Sequence, residues 1–146
     1  MGDSCWMHMT FRRSDLRKIT DILGPFDQTS DLDGYVEGEI NEINYGGLRE
    51  RQEMAEAGIP FYGQHSAGGE YGEHGFVSFG GELVDVEIFG GTPVIIVNES
   101  DLTCLENVTA GVSPHISNQI KELRKYYDFL NNVKEAFRDD VQVTSA

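Results

Sequence analysis

Apolar residues in this chain change their spacing from one segment to the next, and the spacing names the elements. From Cys5 to Phe11 the run CWMHMTF is crowded with large side chains and predicts a first strand. Leu16, Ile19, Ile22 and Leu23 then recur at helical intervals behind Ser14, an expected N-cap, and Gly24-Pro25 stops that helix. Pro25 to Asp33 is polar and reads as a loop. Tyr35 to Tyr45 alternates, with Val36 and Ile40 on one parity and Ile43 and Tyr45 on the other. That change of parity predicts a strand with a bulge near Asn41. Gly46-Gly47 break it, and LRERQEMAEA predicts a short helix closed by Gly58. Leu48, Met54 and Ala55 are expected inward, and Arg49, Glu50, Arg51, Glu53 and Glu56 outward.

The second half alternates more cleanly. Ile59 to Tyr62 reads as a brief extended entry to a glycine-rich loop, and Phe76 to Phe79 as a strand. Gly80-Gly81 suits a two-residue hairpin, and Val84, Val86 and Ile88 alternate with Asp85 and Glu87. After a turn over Gly90 to Pro93, VIIV (Val94 to Val97) predicts a central strand, completing an antiparallel meander. A short helical piece is expected around Leu102 to Leu105. Ser113-Pro114 opens the longest helix, His115 to Arg138, with an apolar seam of Ile116, Ile120, Leu123, Tyr127, Leu130, Val133 and Phe137. The seam is expected to pack across the sheet, and its length offers a second copy a place to pair as a homo-oligomer. The expectation is therefore an α+β fold, one domain over residues 1–146, with an antiparallel sheet of about five strands packed by helices. Residues 1–4 and 139–146 are expected to be flexible.

Charge narrows the partners. The chain carries 25 acids against 11 bases, a net charge of -14. Between Asp21 and Gly90 there are 15 acids and only two bases, Arg49 and Arg51. Direct nucleic-acid binding needs a basic footprint and is not expected on this ground. Cys5 and Cys104 form neither a disulfide framework nor a metal motif and suit a reducing compartment. With no signal peptide and no run of apolar residues long enough to span a bilayer, the expectation is a cytoplasmic protein that does not engage membranes.

Candidate chemistry gathers between Gly58 and Gly75, in the stretch GIPFYGQHSAGGEYGEHG. Its six glycines permit close backbone approach to a ligand, its aromatics could stack on a base, and its polar side chains could read polar edges. The candidate ligand-binding residues are Tyr62, Gln64, His65, Glu70, Tyr71 and His74. A metal set of His65, Glu70, Glu73 and His74, with Asp85 or Glu87, lacks the spacing of a helical zinc site. Ser66 beside His65 lies in no nucleophile elbow. No P-loop occurs, and the stretch holds no lysine or arginine. No catalytic residue, metal site or cofactor is assigned.

Between Asn44 and Phe79 the words NYGG, AGIPFYGQH and GGEYGEHGF resemble those of small bacteriophage and prophage proteins. The resemblance covers roughly Asn44 to Asn98. No activity is attached to that group, so no catalytic residue carries over. It implies a phage accessory protein that acts in the host bacterial cytoplasm by binding, such as an inhibitor of a defence system. Its partner would be a host protein with a basic surface, met by acids such as Glu37, Glu39, Glu42, Glu50, Glu53 and Glu56, or a nucleotide-like signal. Two alternatives stand beside it: a small metal-assisted hydrolase using His65 and His74, and a structural or assembly protein organised through the C-terminal helix.

Overall fold

A computed structural model describes residues 4–69, 71–107 and 111–145. In chain order the elements are β1 (Ser4–Arg12), α1 (Leu16–Leu23), β2 (Gln28–Leu32), β3 (Tyr35–Asn44), α2 (Leu48–Glu56) and β4 (Phe61–His65). They continue with β5 (His74–Phe79), β6 (Glu82–Phe89), β7 (Thr92–Pro93), α3 (Glu99–Glu106) and α4 (Pro114–Ser145). The fold is α+β, but the described sheet has seven strands rather than about five, in the order β2-β3-β1-β4-β5-β6-β7. Every neighbouring pair is antiparallel. The first six elements make a split β-α-β unit of ferredoxin-like connectivity, and β5 to β7 widen its sheet beyond β4.

The added strands have local causes. β2 is exposed throughout and polar but for Leu32 at its end, so no alternation announces it. It is held by the Asp33-Gly34 turn, where both residues take positive φ (43° and 102°), the hairpin geometry that Asp-Gly favours. β4 and β5 reach into the glycine-rich stretch and pair His65 with His74. The expected bulge is present: β1–β3 pairing passes from Cys5↔Ile43 to Met7↔Ile40, leaving one extra β3 residue at Asn41–Glu42.

Alternation along the strands sorts side chains into two layers. Met7, Met9, Phe11, Phe61 and Phe76 pack with Ile19 of α1 and Met54 of α2. Val77, Val84, Val86 and Ile88 face the other way, against Tyr126, Val133 and Phe137 of α4. Each large side chain fully buried this way stabilises the fold by about 1.5–3 kcal/mol.

Several expectations change. Ser14 caps nothing: it lies in a 3-10 turn (Arg13–Asp15) ahead of α1, where Asp15 accepts from Arg12 Nε at 2.9 Å. In α2 Leu48 is exposed, and Arg51 takes the inward position. On α4 Tyr126 replaces Tyr127 in the seam, and the helix extends past Asp139 to Ser145. Ser4 is the first residue of β1, while residues 1–3 and 146 lie outside the described residues. Val94 to Val97 is no central strand: β7 ends at Pro93, and Ile95, Ile96 and Val97 are exposed. No helix among the described residues is long and apolar enough to cross a membrane.

Candidate functional site

The glycine-rich stretch is mostly hairpin. Between its two strands residues 66–69 and 71–73 lie outside any strand, and Glu70 lies outside the described residues. Strand alternation then divides the candidates. His65 and His74 project toward the α1/α2 layer, where Tyr71 folds back edge-on over His65 with ring centroids 5.6 Å apart. Tyr62 and Gln64 project to the opposite layer. Tyr62 stacks on Phe137 at 6.0 Å, beneath the ammonium of Lys134. Gln64 lies beside the β6–β7 turn at Gly91. Three of the six candidates come together and two turn away.

His65 is the centre of the first group and is only 3% exposed. Its ring stacks on His74 at 5.3 Å and lies 6.4 Å from Phe76. Its Nδ1–H donates to Ser66 O at 2.9 Å. Burial, joined by the nearby Arg51 guanidinium, pulls its pKa below the ordinary value despite that hydrogen bond, so the ring is neutral at pH 7. Cys5 Sγ lies 3.9 Å from the same Nδ1. A nitrogen that gives its proton to a carbonyl cannot take one from a thiol, so this contact is no Cys-His dyad. Gly46 shows how close the packing is. At φ 60° it needs no side chain, and a Cβ there would stand 2.4 Å from the His65 ring. Among the described residues no group of three His, Cys, Asp or Glu side chains is placed to hold a metal ion.

Beneath this cluster lies Arg51, 1% exposed. Its Nε donates to Gly46 O at 2.8 Å, its Nη1 donates to Asp85 Oδ1 at 2.6 Å, and its guanidinium lies 4.4 Å from the Phe76 ring centroid. It ties α2 to β6 and holds the 3-10 turn at Tyr45–Gly47 against the sheet. The sequence did contain a signal: Arg51 sits three and four residues before Met54 and Ala55, on the helix's inward face.

The open part of the molecule is elsewhere. A groove of about 290 Å³ runs between the edge of β6 and the first turns of α4, lined among others by Asp85, Glu87, Val94, His115, Gln119 and Glu122. Behind it Asp101 joins the two C-terminal helices. Its carboxylate accepts from Asn98 N–H in a capping box at α3, from Ser113 Oγ–H, and from His115 Nδ1–H at 2.6 Å. These bonds, the Asn98 one foremost, hold the Asp101 carboxyl down at about 2. Asn98 and Asp101, three apart before a helical run, were legible as a cap. The groove was not legible, because it exists only where α4 meets a strand 28 or more positions away. Scans against protein-family models and searches of curated proteins and solved structures found no match to this chain.

Proposed function

We propose that this chain is a non-enzymatic binding protein that engages a partner protein through a basic segment, as phage accessory proteins do when they block or redirect a host system. One observation carries the reading. Glu87 and Glu122 line the β6–α4 groove beside Asp85, whose carboxylate is already paired with Arg51, and no lysine or arginine lines it among the described residues. Such a cleft disfavours phosphates and draws cationic groups. It continues into the exposed aliphatic side chains of Ile95, Ile96 and Val97, an apolar strip of the kind that marks interaction surfaces. The resemblance of Asn44 to Phe79 to phage proteins supports an anti-defence role in an infected bacterium.

The test is co-purification from a bacterial host at about 50 mM and about 500 mM salt. A protein retained at low salt by the wild type and released by Glu87→Gln/Glu122→Gln is expected. Equal retention by both forms at both salts would sink the reading.

The hydrolase alternative loses support, because His65 is buried and its Nδ1 is committed to a carbonyl. One observation favours a second reading, a small anionic ligand such as a nucleotide. Tyr62 opens with Tyr35 and Asn131 on a cleft of about 400 Å³ that Lys134 and Arg138 flank. Nucleotides that fail to raise the melting temperature, or raise it equally in Lys134→Ala/Arg138→Ala, would rule it out.

A further inference from the structure

We propose that the open edge of β6 accepts an extended strand of a basic partner polypeptide, in the slot between Asp85 on the sheet and Glu122 on α4. The proposal rests on the reading that this groove binds a basic protein, and it specifies the mode of binding.

The strand ladder determines which main-chain groups are on offer. Ile88 N–H donates to Glu73 O at 3.1 Å, toward β5. In an antiparallel ladder successive residues turn their main-chain groups to opposite sides. Val86 and Val84 therefore face β5 with Ile88, while Glu87, Asp85 and Leu83 face outward. On that outer side β7 pairs only through Ile88↔Pro93 and Phe89↔Thr92, and Val94 N–H then reaches Glu87 O at 3.1 Å. Two further residues in the same register would bring Ile96 opposite Asp85. Ile96 is held elsewhere. Its N–H donates to Gln119 Oε1 at 2.7 Å, and its carbonyl accepts from Gln119 Nε2 at 2.8 Å. One helix side chain thus takes both main-chain groups that the sheet edge would use. Among the described residues no strand pairs with the outer side of β6 at Leu83 or Asp85, and the groove occupies the space beside Asp85.

Charge and spacing select the occupant. A strand added to β6 would lie about 4.8 Å from it, on the side where the groove separates sheet from helix. Strand addition takes its affinity from main-chain bonds and its specificity from alternate side chains. Here lysine or arginine on the α4 side of the added strand would meet Glu122 and on the opposite side Glu87, while aliphatic residues on the α4 side would meet Val86 and Leu123. A second copy of this chain, with a net charge of -14, is a poor occupant. So is a nucleic acid.

Hydrogen exchange followed by NMR on the full chain tests the proposal, with a panel of short peptides alternating lysine and valine. Controls replace lysine with glutamate or methylate the peptide nitrogens. The lysine–valine peptides should slow exchange of the Leu83 and Asp85 amides by about tenfold or more, and the methylated peptides should not. Glu87→Gln/Glu122→Gln should weaken binding about tenfold. Gln119→Ala frees Ile96 to pair with Asp85, so the Asp85 amide should gain protection without peptide while peptide affinity falls. Salt-sensitive binding that leaves Leu83 and Asp85 exchanging freely overturns strand addition and spares the groove reading. No binding by any lysine–valine peptide overturns both. Dimerisation with these amides already protected gives the edge to a second copy and also overturns the proposal.

Discussion

The cluster around His65 and the groove beside Glu122 both set polar side chains against the same sheet, yet they use them in opposite ways. Around His65 the polar groups are turned inward and matched: Arg51 to Asp85 and Gly46 O, and His65 Nδ1–H to Ser66 O. Glycine at Gly46 lets the backbone close over the ring, and Tyr71 seals the top. Beside Glu122 the strand pairing stops after Glu87, carboxylates line an open cleft, and an apolar segment is held away from the sheet by Gln119. The residues that look most chemical in the sequence are packed and paired, whereas the groove we propose for recognition is formed by residues that look ordinary. Mutations should separate the two regions by what they change.

The largest effect is expected at Arg51. Arg51→Met leaves the Asp85 carboxylate and the Gly46 carbonyl without their donor, and should cost about 3–5 kcal/mol in urea unfolding. Gly46→Ala should follow at about 3 kcal/mol, from positive φ and collision with the His65 ring. A double-mutant cycle sharpens this point. Adding His65→Ala removes the ring that the new methyl strikes, so the pair should cost less than the two changes added together. Strict additivity would mean that the ring and the glycine are not in contact.

Acid should reveal both regions, in different pH windows. The folded His65 pKa lies below its ordinary value, so its contribution is complete above about pH 6.5. It is lost as pH falls below that, because the unfolded chain takes up the proton first. His65→Asn should remove this loss, read as melting temperature against pH. The Asp101 carboxyl is held at about 2 against an ordinary 3.8. Its contribution is complete above the ordinary value and lost as pH falls from there to about 2. Asp101→Asn should flatten that acid limb and loosen the α3–α4 junction. The smallest effect is expected in the groove. Glu122→Gln should change stability by no more than about 0.5 kcal/mol while weakening capture of a basic partner, and the reverse pattern would erase the contrast between the regions.

Local patterns were legible wherever a local cause sufficed. The two-residue hairpin at Gly80-Gly81, the bulge at Asn41, the Gly58 stop of α2 and the Pro114 start of α4 all follow from neighbouring residues. β2 was missed because, apart from Leu32 at its end, its residues are polar on both sides of an edge strand. The Asp33-Gly34 signature of its turn was nonetheless present. Val94 to Val97 has every local property of a buried strand, and Gln119, more than twenty residues later, takes its hydrogen bonds instead. Arg51 was assigned outward on its charge alone, although its spacing to Met54 turned it inward. Of the candidate ligand-binding residues, the fold brings His65, Tyr71 and His74 together. Tyr62 and Gln64 were lost to strand alternation, which sends neighbours to opposite faces.

By itself the sequence determined the α+β class, most turns and a strongly acidic composition, because each rests on local stereochemistry or on summed charge. Tertiary structure decided which histidine is sealed, which arginine is buried and which stretch of the outer edge of β6 is left unpaired among the described residues. Those outcomes depend on which distant main-chain groups find partners first, and that is settled only when helix and sheet meet.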